Sequence, residues 1–275
     1  MSKMYKNSWK GFTRESFVYW KSFIKLIIPG ILMIALEFFI FEIGVITAGI
    51  IGPTELDTQS IIVQFNAIWY QLPVGVEIST AILIGQHVGS GDKKSSINLI
   101  KTSFVFISII SLVAGIALVL LRHSLSGLFT NDARVMMLIG EILPIISFYI
   151  FFDGINTVCK GILYGTGRQY IAVVLMFVIY YFIGLPISLI VMFKTHFGIN
   201  GFWFALGCII ILISIFMTNS VIKTNWNDMI AQAAYRNNLS IHYDYTYENE
   251  GILIYLTYDE SIKLVRGIIF KYKVF

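Results

Sequence analysis

Six long stretches of this chain contain almost only apolar and small side chains. A helix needs about 20 mostly apolar residues to cross the hydrocarbon core of a bilayer. The backbone in lipid must pair its own polar groups, which favours helices over strands. The sequence therefore predicts an all-α, polytopic membrane protein built as a six-helix transmembrane bundle. The predicted spans are about 23–51, 58–84, 102–121, 135–163, 170–193 and 198–222.

The composition agrees with a membrane environment and disfavours a nucleic-acid partner. Hydrophobic residues make up 57% of the chain and charged residues 13%, whereas soluble domains carry about 25% charged residues. The net charge is +4, but the basic side chains form no stripe. They cluster at both ends and between apolar blocks, as orientation charges at a membrane surface do.

The distribution of lysine and arginine predicts the orientation of the bundle. The first 25 residues contain six of them, and the loops after the second and fourth spans contain Lys93, Lys94 and Arg168. The loops on the opposite side carry fewer basic residues. Since cytoplasmic loops are enriched in lysine and arginine, we expect both termini in the cytoplasm. Residues 225–275 then form a polar cytoplasmic tail with a short apolar end.

Carboxylates inside the apolar blocks are the strongest candidates for function. Each costs about 2.5 kcal/mol or more at the bilayer centre, so it persists with a partner, a wet cavity or a function. A satisfied ion pair or a place near the headgroups remains the alternative for each. Glu37 and Glu42 lie about 140° apart around their helix, so they cannot share a narrow stripe. The carboxylates in question are Glu37, Glu42, Glu77, Glu141 and Asp153.

Lys160 follows Asp153 by seven residues, on the same helix face. The two are too far apart along the helix for a direct pair. We therefore expect Lys160 to extend its ammonium to the cytoplasmic interface.

Aromatic side chains near the acids could line a cavity for organic cations. Phe38 and Phe41 flank the acids of the first span, and Tyr70 lies in the second. An aromatic face beside a carboxylate attracts cations through both the ring and the charge. Packing in the core or against lipid is the alternative for most of the 22 phenylalanines and 15 tyrosines.

Other motifs point to turns and helix bends rather than catalysis. Glycines at 85–91 and 165–167 lack the Gly-Lys-Ser/Thr ending of a phosphate loop and predict tight turns. Prolines inside the apolar blocks predict either packing kinks or transport hinges. No metal-ligand spacing or nucleophile constellation is present, so we expect neither an enzyme nor a metal site.

An ordered set of motifs resembles eukaryotic MATE (multidrug and toxic compound extrusion) transporters. The segments 28–33 (IPGILM), 36–39 (LEFF) and 41–44 (FEIG) resemble helix seven of that family. Each motif alone is weak, but they occur in family order from about residue 9 to about residue 226. The others are 59–61 (QSI), 72–75 (LPVG), 88–91 (VGSG), 161–169 (GILYGTGRQ) and 180–186 (YYFIGLP).

The resemblance implies a domain organisation. Family members have twelve core helices in two six-helix lobes, and this chain resembles the C-terminal lobe. Residues 1–22 would then be a cytoplasmic inter-lobe segment, and residues 23–224 the six-helix transmembrane lobe. The implied partners are the lipid bilayer, organic cation substrates and a second six-helix lobe.

The resemblance also implies functional residues. By position Glu37 and Glu42 match the acidic pair of helix seven, and Asp153 matches a glutamate of helix ten. Gln64 stands where a glutamate is expected, which removes one titratable group. The remaining matches concern the cavity wall: Phe38 and Phe41 stand where Trp and Tyr are usual, and Tyr70 matches a Tyr.

The expected function is a membrane antiporter, or half of one, that exports organic cations and xenobiotics in exchange for protons. No cofactor is expected beyond the proton as coupling ion, with sodium as an alternative ion. The expected location is the plasma membrane. The rival hypotheses are a non-transporting half-transporter or gene fragment that pairs with or regulates a full-length relative, and a membrane enzyme acting through buried acids.

Overall fold

The computed structural model describes residues 20–235, of which residues 20–222 form a bundle of helices. No strand occurs among these residues. Residues 226–230 are helical, and so are residues 231–235, the described part of a separate unit that begins at Ala231. The elements are α1 (Trp20–Ile51), α2 (Pro53–Gly89), α3 (Lys93–Phe129), α4 (Ala133–Gly165), α5 (Gln169–Met176), a π-helical segment (Phe177–Gly184), α6 (Leu185–Lys194) and α7 (Gly198–Ile222).

These elements supply six helices that are long and apolar enough to cross a membrane. The fifth consists of α5, the π-helical segment and α6 in succession, over Gln169–Lys194. The predicted six-helix bundle is therefore confirmed. The expectations for residues 1–19, and for the tail beyond residue 235, lie outside the described residues.

The bundle is organised around α4, which packs along α2, α3 and α7. In lipid, apolar side chains can face outward, so the buried face of a helix need not be its most apolar one. Helix α3 shows this arrangement clearly. Its exposed face carries large apolar side chains such as Ile109 and Val113, whereas its buried positions include Ser103, Ser111 and Gly115. Small inward residues let the helices approach closely.

Helices α2 and α4 approach each other closely at two glycines of α4 that lie one turn apart. A Cβ atom at Gly161 would lie 2.6 Å from the carbonyl oxygen of Glu77, and one at Gly165 would lie 2.6 Å from that of Ala81. A step of four residues along α4, from Gly161 to Gly165, matches a step of four residues along α2, from Glu77 to Ala81. The two helices therefore run parallel in a fixed register. This register sets the height of Glu77 relative to Lys160.

We expect Gly161→Ala to destabilise the bundle by about 1–3 kcal/mol, because the backbone of α2 must move away to admit the methyl group. Gly75→Ala is a matched control on α2, since a Cβ at Gly75 meets no atom within 4 Å. The thermal unfolding midpoint of each purified variant in detergent measures the difference. Equal midpoints for the two variants would contradict the close contact.

Two glycine-rich segments end their helices in tight turns, as the sequence predicts. Gly91 has φ +79° and Gly167 has φ +71°, values that favour glycine. After Gly91, the amide of Asp92 donates to the carbonyl of His87, five residues back. After Gly167, the amide of Arg168 donates to the carbonyl of Leu163. Both patterns pair the last carbonyls of a helix, as glycine C-caps do.

Aspartates cap the first turns of two helices, α3 and α4. Asp92 precedes α3 and accepts a hydrogen bond from the amide of Ser95, and Asp132 precedes α4 and accepts one from the amide of Arg134. The hydroxyl and amide of Ser95 lower the pKa of Asp92. The stabilisation from this cap is therefore fully present above the pKa that the Asp92 carboxyl has in the unfolded chain. It is lost as the pH falls through the lower pKa of Asp92 in the folded chain.

Polar contacts tie the segment after α7 to two loops at one end of the bundle. The ammonium of Lys93 donates to Asn227 at 3.0 Å, and Arg168 donates to the hydroxyl of Thr224 at 2.7 Å. The loop after α2, the loop after α4 and the end of α7 thus lie together. This is the end that the sequence predicts to be cytoplasmic.

The π-helical segment was not predicted from the sequence. The amide of Leu185 donates to the carbonyl of Tyr180, five residues earlier, and Pro186 follows without an amide hydrogen of its own. The wider turn accompanies a tertiary contact, because the hydroxyl of Tyr181 donates to the carbonyl of Leu36 at 2.9 Å. The other internal prolines, Pro29, Pro73 and Pro144, lie within continuous helices.

Candidate functional site

A buried lysine lies between two glutamates at the centre of the site. The Lys160 side chain is 1% exposed, and its Nζ donates to Glu37 Oε1 at 2.6 Å. A second ion pair joins Nζ to Glu77 Oε2 at 3.7 Å. The Tyr70 hydroxyl accepts from Nζ and donates to Glu37 Oε2, both at 3.0 Å. Helices α1, α2 and α4 each contribute to this arrangement.

The prediction that Lys160 extends to the interface is wrong. Its helix face also carries Asp153, which is 3% exposed, and this face points into the bundle. The ammonium stays inside because Glu37, 123 positions away in the chain, compensates its charge.

Two of the predicted acids line a common pocket beside this lysine. Glu37 on α1 and Asp153 on α4 face a small cavity of about 70 Å³. Asp153 belongs to neither of the two ion pairs found among residues 20–235. The remaining lining residues are Phe38, Phe41, Val63, Asn66, Ala67, Tyr70, Gln71 and Tyr149.

The charges of the site do not balance. Three carboxyl groups, from Glu37, Glu77 and Asp153, share the interior with one ammonium, that of Lys160. If all four were ionised, the formal charge would be two negative units. An uncompensated buried charge is costly, so the site favours an added proton or cation.

Aromatic packing makes one wall of the pocket rigid and leaves its mouth open. The Phe41 ring stacks on Trp203, with centroids 5.8 Å apart, and meets Tyr149 edge-on. Trp203 is fixed in turn, because its indole Nε1 donates to Gln59 Oε1 at 2.8 Å. Phe38 differs from Phe41, since 57% of its surface is exposed at the pocket edge.

The other two predicted binding residues lie elsewhere. The side chains of Glu42 and Gln64 are exposed and do not line the pocket. For Glu42 the reason is helix geometry, since five residues turn it about 140° from the inward-facing Glu37. A role for these two residues in proton or cation binding stays a prediction.

Sequence reasoning missed the polar stripe on α4. Asp153, Asn156, Thr157 and Lys160 recur at spacings of three and four and are all buried. That spacing on an otherwise apolar helix was the available signal for an inward-facing polar face. Asn156 is 0% exposed, and neither of its amide atoms has a hydrogen-bond partner among the described residues.

A larger groove of about 440 Å³ lies away from this cluster, where the end of α3 meets the start of α4. Arg122, His123 and Glu141 line it, and Glu141 accepts a hydrogen bond from Asn200 at 2.7 Å. Glu141 is exposed and already has a hydrogen-bond partner. Its carboxylate is therefore stabilised by solvent and by Asn200, unlike the carboxyl groups that face the pocket.

Six long apolar helices around a charged interior define a polytopic membrane protein. A family model described as MatE matches residues 29–190, and the chain belongs to this family. It is therefore an integral membrane protein.

Comparison with individual proteins agrees with this family assignment. The chain is 31% identical over 234 residues to "Multidrug and toxin extrusion protein 2" of Mus musculus and 32% identical over 234 residues to "Multidrug and toxin extrusion protein 1" of Xenopus tropicalis. Each match covers 85% of this chain but only 41% of the relative. The fold matches the crystal structure of the eukaryotic MATE transporter AtDTX14 with a TM-score of 0.79 at 23% identity, over 86% of this chain and 53% of that one.

Proposed function

We propose that this chain forms the cation-binding lobe of an antiporter that exports organic cations and other xenobiotics in exchange for protons. The names of the relatives, multidrug and toxin extrusion proteins, support export of such compounds. The excess of basic residues in the N-terminal segment supports cytoplasmic termini. We propose the plasma membrane as the location.

The observation that carries this proposal is the excess of buried carboxylates at the pocket. Glu37 and Asp153 face the same cavity, while Lys160 can compensate only one carboxylate of the cluster. A proton or an organic cation would restore the charge balance. Because either can do so, the two compete, and the loss of one accompanies the binding of the other.

The pocket also supports a facing lobe. Its volume of about 70 Å³ is well below the roughly 300–1,000 Å³ of typical small-molecule sites. Phe38 stands exposed at its edge, where a second wall could close over a cation. We propose that a second six-helix lobe supplies that wall and that rocking of the lobes gives alternating access.

Transport into inverted membrane vesicles tests the proposal. The chain is produced together with the N-terminal six-helix half of the mouse relative, and an imposed proton gradient drives uptake of a fluorescent organic cation. We expect uptake above that of vesicles with the N-terminal half alone. Replacing the proton gradient by a sodium gradient tests sodium, the alternative coupling ion.

We expect Glu37→Gln to reduce this uptake to background, since the pocket then loses one of its two carboxylates. Glu141→Gln is the matched control and retains uptake, because Glu141 is exposed and lies outside the pocket. Gradient-driven uptake that persists in Glu37→Gln removes Glu37 from the mechanism. Absence of uptake by the unmodified pair favours the rival hypothesis of a non-transporting half-protein.

A further inference from the structure

We propose that Lys160 is a tethered internal cation that moves from Glu37 to Glu77 when a substrate cation occupies Glu37. This inference rests on the proposed function, because it concerns how the same site admits its substrate. It assigns a positioning role to Lys160 and to Glu77, two residues outside the predicted binding set.

The distances make Glu77 a second acceptor within reach. Lys160 Nζ is 2.6 Å from Glu37 Oε1 and 3.7 Å from Glu77 Oε2. A shift of about 1 Å would bring Nζ to hydrogen-bond distance of Glu77. The flexible four-carbon stem of lysine permits such a shift without movement of the helix.

One carboxylate oxygen of Glu77 is free to accept a hydrogen bond from the Lys160 ammonium. Glu77 is buried, and its Oε2 has no hydrogen-bond partner within residues 20–235. A buried carboxylate oxygen without a hydrogen bond is costly. Movement of the ammonium towards Glu77 would remove that cost at the moment when Glu37 gains another cation.

Tyr70 connects the two positions of the lysine. Its hydroxyl already accepts from Lys160 Nζ while it donates to Glu37. The same ammonium lies 5.2 Å from the centroid of the Tyr70 ring. Nζ can therefore keep a favourable contact with Tyr70 throughout a movement of about 1 Å.

The packing of the helices explains why the movement would matter. Glu77 and Lys160 are held in register, because the backbone of α4 at Gly161 lies against the carbonyl of Glu77. Glu37 belongs to α1, which packs mainly against α2 and α5. Transfer of the ammonium to Glu77 breaks a polar link between α4 and α1, so occupancy of the pocket would control how firmly α1 is held.

A double-mutant cycle at Glu77 and Lys160 tests this inference. The chain, the variants Glu77→Gln and Lys160→Met, and the double variant are each placed in lipid nanodiscs together with the N-terminal six-helix half of the mouse relative. The affinity for tetramethylammonium is measured by calorimetry. Glu77→Gln confines the ammonium to Glu37, so we expect it to weaken binding by about tenfold. In the Lys160→Met background no ammonium competes, and we expect the same substitution to weaken binding by less than about threefold.

Equal losses in the two backgrounds would overturn the inference, because Glu77 would then act through its charge alone. No loss in the Lys160-containing background would overturn it as well. If Lys160→Met does not fold, Glu77→Asp replaces the cycle, since it keeps the charge of the cluster but shortens the reach of the carboxylate towards Lys160. It should bind more weakly than the unmodified chain, and unchanged affinity contradicts the movement of Lys160.

A different result would contradict the proposed function itself. If the unmodified chain binds no tetramethylammonium, or if Glu37→Gln binds it as well as the unmodified chain does, the pocket is not the cation site and the movement of Lys160 is excluded with it. Exposed Glu141→Gln serves as the control, for which we expect unchanged affinity.

Discussion

Replacing Lys160 by methionine is expected to destabilise the folded chain by about 3–5 kcal/mol, the usual cost of removing one partner from a buried ion pair. Glu37 and Glu77 both lose their counter-charge, because the Lys160 ammonium lies within 4 Å of a carboxylate oxygen of each. The Tyr70 hydroxyl loses a donor as well. The free energy of unfolding in mixed micelles measures the effect.

Two comparisons separate lost charge compensation from lost packing. Lys101→Met on α3 is the matched control, because the Lys101 side chain is exposed. The combination of Lys160→Met with Glu37→Gln should recover part of the stability, since one uncompensated carboxylate disappears. If Lys160→Met and Lys101→Met were equally stable, the ion pair would have no role in holding the bundle together.

Asp153→Asn is expected to weaken binding of an organic cation by roughly thirtyfold or more, about 2 kcal/mol. Asp153 lines the pocket and takes no part in the two ion pairs of the described bundle, so its charge is available to a ligand. The loss should appear in calorimetric titration of the chain in nanodiscs with tetramethylammonium.

Two controls accompany Asp153→Asn: one keeps the charge at this position, and the other removes a carboxylate outside the pocket. Asp153→Glu keeps a carboxylate on the same face of α4 and should retain most of the affinity. Asp57→Asn removes a carboxylate whose side chain is exposed near the start of α2 and should leave the affinity unchanged. Binding that survives in Asp153→Asn would argue that Glu37 alone supplies the charge.

The fold could be predicted because lipid imposes a simple requirement on the sequence. A span such as 102–121 is recognisable without any tertiary information, since its length and lack of charge suffice. The π-helical turn before Pro186 could not be predicted in this way. It accompanies a hydrogen bond from Tyr181 to α1, a contact between residues 145 positions apart.

The site could be predicted in part for a similar reason. Glu37 and Asp153 stood out because a carboxylate in an apolar block is costly wherever it points. Lys160 was misjudged because its partner lies on another helix, and sequence spacing describes only neighbours on the same one. Glu42 and Gln64 were expected in the pocket but face away from it. Their positions in the sequence place them within a membrane-spanning helix but do not show which way their side chains point.

The most direct test measures protons during cation binding. The chain in weakly buffered nanodiscs is titrated with tetramethylammonium while a pH indicator dye reports protons in the medium. Competition at Glu37 and Asp153 predicts proton release that rises with occupancy and disappears in the Glu37→Gln, Asp153→Asn double variant. Cation binding without any proton release, or undiminished release in that variant, would contradict exchange at these carboxylates.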